Sequence, residues 1–203
     1  MGLIRITGGR WRGLRLRVPA RHTRPSSDRL RQGVFSSLGP VVAGARVLDL
    51  FAGTGAYGIE ALSRGAASAC WVEANRSAFA TLIANLRGLA PGGRLPTEWN
   101  VLCADALEPA RYTHYGPFDL IFADPPYALA LEPERIETLI QALAEARALR
   151  AGGWMVIELS ARAPLPSAAP WTLDRARTVG ESQWLLLRAG VESDCEDAPH
   201  ALS

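Results

Sequence analysis

From residue 46 to residue 159, short apolar runs alternate with stretches of helical periodicity, and few folds accommodate that alternation. Runs at 46–51, 69–73, 99–103, 118–123 and 154–159 read as strands. The periodicity predicts helices between them: one ending near Leu62, one over 77–89, and one over 133–148 with Ile136, Leu139, Ile140 and Leu143 on one side. Strands joined by helical crossovers lie parallel and are buried on both faces. Two further strands, 171–178 and 183–188, are separated only by a short turn containing Gly180 and should pair antiparallel. The expected fold is α/β, a doubly wound, mostly parallel seven-stranded sheet.

Upstream of the sheet, residues 3–7 and 14–18 alternate at period two around Gly8, Gly9 and Gly13, which predicts a hairpin with one apolar face and one arginine-bearing face. A lone hairpin is marginal, so its apolar edge must lean on something. Residues 20–25 read as a linker. Ser26 or Ser27 can then cap a helix in which Leu30, Val34, Phe35 and Leu38 share a face, ended by Gly39-Pro40. The organisation expected is a basic hairpin and linker over 1–25, a sheet domain over 26–190 and a disordered acidic tail over 191–203.

Charge separates these parts. The net charge is only +2, yet nine of the 22 basic residues fall in the first 31 positions, against the single acid Asp28. The remainder holds 13 Arg and 19 acids, and there is no Lys anywhere. A basic arm of this kind is an electrostatic footprint for phosphate. Arg10, Trp11 and Arg12 near the turn combine charge with a stacking surface, and Arg15 and Arg17 lie on the arginine face. Trp11 fits packing beneath the hairpin equally well.

Chemistry concentrates at the ends of the strands. Asp49, Phe51, Ala52, Gly53, Thr54 and Gly55 leave the first sheet strand as a glycine loop that opens a helix, and 53–58 reads as G-x-G-x-x-G. Glu73, 20 residues beyond Gly53, ends the second strand where an acid can accept hydrogen bonds from ribose hydroxyls. A nicotinamide enzyme shares both features. Asp49 argues against it, because a carboxylate there would oppose a pyrophosphate but suit a cationic ligand such as S-adenosylmethionine. Asp105, followed by Ala106, ends the third strand and can either accept from an adenine amino group or cap the next turn. The fourth strand stops at Asp124-Pro125-Pro126-Tyr127. Two prolines cannot continue a ladder, so a carboxylate, a rigid carbonyl and a ring turn off the sheet together. The sequence places this segment two strands from the glycine loop in the sheet.

The D-x-F-x-G-x-G loop, the acid ending the second strand and the Asp-Pro-Pro-Tyr together resemble the Rossmann-like class I S-adenosylmethionine-dependent methyltransferases that act on exocyclic amino groups. More closely, residues 5–13 (RITGGRWRG), 24–31 (RPSSDRLR), 49–55 (DLFAGTG) and 58–65 (GIEALSRG) resemble the RsmD family. That resemblance spans about residues 4–188 and departs mildly at Gly33, where a larger helical residue is usual. It implies methyl transfer from S-adenosylmethionine to the N2 amino group of a guanine in bacterial 16S rRNA. It further implies that Asp124 and Pro125 hold the amine, that Tyr127 stacks on the base, and that Arg24 with its neighbours helps close the donor pocket. The RNA partner would be 16S rRNA, within an assembling 30S subunit, met by a monomer.

Other classes fit less well. His22, His114 and His200 form no cluster, and Cys70, Cys103 and Cys195 have no metal spacing, so no metal site is expected. No apolar run reaches the roughly 18 residues a membrane helix needs. With no signal-like start and with thiols in apolar runs, a reducing, cytoplasmic setting is expected. A DNA amino-methyltransferase shares the Asp-Pro-Pro-Tyr but needs a sequence-reading domain for which this chain has no room. A non-catalytic RNA-binding module would not require the intact loop and Asp124.

Overall fold

The computed structural model describes residues 3–18, 28–89 and 98–190. The hairpin comprises β1 (Leu3–Arg5) and β2 (Arg15–Arg17), paired antiparallel with Ile4 opposite Leu16. The sheet domain follows as α1 (Asp28–Leu38), β3 (Arg46–Leu50), α2 (Ala56–Ser63), β4 (Ser68–Val72), α3 (Arg76–Leu89) and β5 (Glu98–Leu102). It continues through β6 (Phe118–Ala123), α4 (Tyr127–Ala130), α5 (Pro133–Glu145), β7 (Leu149–Ser160), β8 (Thr172–Val179) and β9 (Ser182–Arg188).

The seven sheet strands run in the order β5-β4-β3-β6-β7-β9-β8, and only β9 lies antiparallel to both of its neighbours. This is the doubly wound, mostly parallel seven-stranded sheet expected, with the last strand inserted between β7 and β8. Strand order reverses between β3 and β6, which pair directly with Leu50 beside Ala123. The glycine loop and Asp124 therefore leave adjacent strands, rather than strands separated in the sheet as the sequence suggested. A crevice outside the carboxyl ends of strands at such a reversal is where open α/β sheets bind ligands.

Apolar burial explains the architecture. β3, β4 and β6 are buried along nearly their whole length because helices cover both faces. One core layer joins Val47, Trp71, Phe122 and Trp184 to Phe35 of α1, Ile59 of α2 and Leu82 of α3. The other joins Leu48, Cys70, Ile121 and Met155 to Ile136, Leu139, Ile140 and Leu143 of α5. The apolar hairpin residues Ile4, Ile6, Leu16 and Val18 are buried in the first layer, so the arm is part of the domain's core.

The hairpin is also fastened by polar bonds. Arg10 N–H donates to the Ser63 carbonyl (2.8 Å), Trp11 N–H to Ser63 Oγ (2.9 Å), and Ser63 Oγ–H to the Gly8 carbonyl (2.6 Å). Gly9, at φ 76°, leaves no room for a side chain, because an added Cβ would stand 1.9 Å from the Ser63 carbonyl oxygen. Beneath the arm, Glu60 and Arg31 are fully buried and paired at 3.1 Å. Glu60 also accepts from Thr7 and Arg64, while Arg31 donates to the Arg5 carbonyl and to Asp28. Arg31 is thus an internal strut and not part of the basic surface in which its sequence position places it.

Two local differences from the sequence have simple causes. The prolines at 125 and 126 turn the chain off the sheet as expected, but it enters the short helix α4, with Pro126 as its N-cap. The helix predicted over 133–148 ends at Glu145, because β7 starts at Leu149, earlier than the apolar run indicates.

Candidate active site

The first sheet strand delivers its loop under tension. Phe51 has φ 56°, a left-handed conformation that a bulky residue adopts only when its surroundings enforce it. Ala52 N–H donates to the Val72 carbonyl (3.1 Å), and Gly53 N–H donates to Glu73 Oε2 (2.7 Å). Gly55, at φ 80°, is the N-cap of α2, and an added Cβ would lie 2.3 Å from Leu82 Cδ1. At Gly58 a Cβ would lie 2.3 Å from Trp71 Nε1, so the buried indole leaves no room for a side chain there. Gly55 and Gly58 thus serve the close approach of Leu82 and Trp71.

Asp49 is 2% exposed and accepts from Gly58 N–H (2.9 Å). Burial pushes its carboxyl up to about 8; the Gly58 hydrogen bond opposes the rise and the nearby Glu73 charge adds to it. The residue therefore anchors the start of α2 from beneath the loop, and a cation above it would favour its ionised form. Glu73 is half-buried at the end of β4, with Oε1 accepting from Asn75 N–H (2.7 Å) and Oε2 from Gly53. Each carboxylate oxygen retains capacity for a further donor such as a ribose hydroxyl. Asp105 is exposed and accepts from Leu107 N–H through Oδ1 (2.9 Å), so it shapes the turn after β5. Ala106 is buried, and its carbonyl accepts from Tyr112 Oη (2.7 Å). Asp49 near the end of β3, Glu73 just past β4 and Asp105 beyond β5 thus mark three neighbouring strands, and Phe51 to Gly55 contain no cation to meet a phosphate. This donor set fits a cationic nucleoside better than a pyrophosphate.

On the adjacent strand, Asp124 N–H donates to the Leu50 carbonyl (3.4 Å), tying the Asp-Pro-Pro-Tyr to the start of the glycine loop. Asp124 is half-buried and Pro125 is buried, while Tyr127 heads α4 with 62% of its surface exposed. Two residues that the sequence reading did not single out complete this wall. Glu158 on β7 is one residue past the Ala123–Ile157 pair and so emerges beside Asp124. It is 7% exposed and accepts from Tyr57 Oη (3.1 Å). The Tyr57 ring stacks on Phe122 with centroids 4.8 Å apart. Glu158 carried the same signal that singled out Glu73, an acid interrupting an apolar strand at its carboxyl end.

The basic residues are distributed along the hairpin. Arg10, Arg12, Arg15 and Arg17 are exposed. Trp11 is partly buried against the core with the Arg10 guanidinium 4.0 Å from its ring centroid, which is the packed arrangement of the two considered. The turn carrying Arg10, Trp11 and Arg12 docks on the carboxyl end of α2, about 12 Å of helix away from the glycine loop. Arg17 sits at the other end of the hairpin, where its backbone meets α3 near that loop. Arg24 lies outside the described residues. Among the described residues no cluster of three or more His, Cys, Asp or Glu could hold a metal ion, and no helix is long and apolar enough to cross a membrane.

Known proteins resemble this chain in sequence and in fold. The Escherichia coli K12 protein named ribosomal RNA small subunit methyltransferase D is 36% identical over 205 residues, covering 96% of each chain. Its Haemophilus influenzae namesake is 33% identical, covering 88% of this chain and 90% of the relative. A solved Escherichia coli structure, yhhF, described as a candidate methyltransferase, superposes with a TM-score of 0.76 at 35% identity, over 94% of this chain and all of that one. A family model described as conserved hypothetical protein 95 matches residues 4–188, from the first hairpin strand to the last strand of the sheet. With that match and near end-to-end relatives at more than 30% identity, the chain belongs to this family, the RsmD group its sequence resembles.

Proposed function

We propose that this chain transfers a methyl group from S-adenosylmethionine to the exocyclic N2 amino group of a guanine in small-subunit ribosomal RNA. The observation that carries the reading is the adjacency of Asp124-Pro125-Pro126-Tyr127 to the glycine loop, fixed by the Leu50–Ala123 register. The names of the relatives supply the RNA class, and the family resemblance supplies guanine N2.

S-adenosylmethionine would contribute a methyl group already activated on a sulfonium. Residues 51–55 would line its amino-acid end, Glu73 would accept from its ribose, and Asp105 with Ala106 would border its adenine. Asp49 would act from beneath, its carboxylate favoured by the positive charge above it. The acceptor amine is a poor nucleophile, since its lone pair is delocalised into the base. The Asp124 carboxylate and the Pro125 carbonyl would each accept one N–H, drawing the nitrogen toward tetrahedral geometry and aiming its lone pair at the methyl group. The same carboxylate is the natural acceptor for the proton that the methylated nitrogen sheds. Tyr127 offers an exposed ring on which an unstacked base can lie, a contact worth about 1–3 kcal/mol. The arm over 1–25, with Arg10, Arg12, Arg15, Arg17 and Arg24, would hold the RNA backbone. The enzyme would act as a cytoplasmic monomer on 16S rRNA within an assembling 30S particle.

The test supplies methyl-labelled donor together with rRNA, 30S particles lacking the modification, or DNA, followed by nucleoside analysis. Label in N2-methylguanosine from the rRNA or the particle is the expected result. Label in DNA adenine or cytosine, or in no nucleic acid at all, overturns the reading.

A further inference from the structure

Among the described residues Asn85 of α3 is one of few buried polar side chains, 7% exposed, and its hydrogen bonds go to two places that the proposed reaction uses separately. Its Oδ1 accepts from Arg17 N–H (2.9 Å) and its Nδ2 donates to the Arg17 carbonyl (3.1 Å), so the side chain pairs with β2 as another strand would. The same Nδ2 donates to the Thr54 carbonyl (3.0 Å) at the centre of the glycine loop. A held carbonyl fixes its peptide plane, and the N–H across that plane belongs to Gly55 and donates to the Ala52 carbonyl (2.6 Å). One turn earlier on α3, Leu82 closes the space over Gly55. The loop's geometry is thus set from the side of the molecule on which the arm docks.

We infer that Asn85 is a positioning residue that couples RNA engagement on the arm to donor binding in the glycine loop. Phosphates held by Arg15 and Arg17 restrain β2; the restrained strand fixes Asn85, and Asn85 fixes the Thr54–Gly55 peptide. Ordering the loop beforehand removes part of the entropy that donor binding otherwise loses, so RNA tightens the donor and, by linkage, the donor tightens RNA. The buried amide holds the backbone of exposed Arg17 itself, with exposed Arg15 two residues before it on the same strand, which is a mechanical link and not a shared binding surface. The inference rests on the proposed RNA methyltransferase reading.

The experiment measures S-adenosylhomocysteine affinity for the full chain by equilibrium dialysis, with and without saturating 16S rRNA or unmodified 30S particles. The wild type should bind about fivefold or more tightly in the presence of RNA, within the usual range of heterotropic coupling. In Asn85→Ala the ratio should fall to one, whatever the absolute affinity. A purely structural asparagine would change both affinities and leave their ratio intact, and that result overturns the inference, as does a wild-type ratio of one. Hydrogen exchange on the wild type tests the same link without a variant: RNA alone should slow exchange of the amides at 53–58, and no slowing is equally fatal to it. Absence of any RNA or particle binding by the wild type would instead sink the proposed function.

Discussion

Asp49 and Asp124 are both carboxyl groups at the mouth of one sheet, and burial gives them different tasks. Asp49 is held at about 8 by desolvation, against an ordinary value of 3.8. Between those values the native state retains a proton that the unfolded chain releases, so this group removes stability as pH rises from about 4 to about 8, and nothing further above that. Asp49→Asn keeps an acceptor for Gly58 N–H and abolishes the titration. Relative to wild type the variant should gain stability with rising pH, by at most about 1.4 kcal/mol per unit in that window, as read by urea unfolding at pH 5 to 9. A gain independent of pH would mean that Asp49 ionises normally. Asp124 is half-buried beside the loop, where it can meet the acceptor. Asp124→Ala should lower the methyl-transfer rate by about 100-fold or more, the scale of losing a group aimed at the transition state, while donor affinity stays within a few-fold. Loss of donor binding in calorimetry would remove Asp124 from the acceptor role.

At the scale of elements, the hairpin is joined to the sheet domain through α2, and Glu60 is the centre of that joint. Its partner Arg31 has no exposure at all, so losing the carboxylate takes a fully buried counter-charge away from a buried guanidinium. Glu60→Gln should cost about 3–5 kcal/mol, seen as a lower urea midpoint at unchanged slope. A cost below 1 kcal/mol would show that Asp28 and the Arg5 carbonyl suffice to hold the Arg31 charge. The sequence concealed this joint, since a charge pair 29 residues apart leaves no periodic trace, and Arg31 reads like its exposed neighbours. The loops at the strand ends were legible because each function there demands a residue type: glycine for a left-handed turn at 53 and for close approach at 55 and 58, and acids at 73 and 124. Trp71 shows the limit. It reads as an ordinary strand residue, yet its indole under Gly58 makes that glycine obligatory. Gly58→Ala should therefore destabilise by about 1–3 kcal/mol through overpacking and weaken donor binding. Unchanged stability would mean that the indole can swing away.

For the whole molecule, the arrangement of charge against the fold decides how RNA is met. Period-two alternation revealed the hairpin and its two faces, because a buried strand face leaves a trace every second residue, as Ile4, Ile6, Leu16 and Val18 do. Where the hairpin lies on the domain was not legible, since that depends on single bonds such as those of Ser63 and Asn85. The docked arm carries Arg10 and Arg12 toward the carboxyl end of α2 and holds Arg17 near the glycine loop, so the exposed cations trace a line down one flank. Arg150, by contrast, lies at the amino end of β7, paired with Asp119 at 3.0 Å. RNA affinity should fall steeply with salt, as each phosphate contact releases counterions. Replacing Arg15 and Arg17 together by Ala should reduce the log–log salt slope by about 1.4–1.8, whereas Arg150→Ala should leave it unchanged. Filter binding between 50 and 200 mM salt, within the range over which such contacts separate, reads the slope directly. An equal change in both variants would mean that RNA senses only net charge, and a slope unaffected by the arm pair would move the RNA off the hairpin altogether.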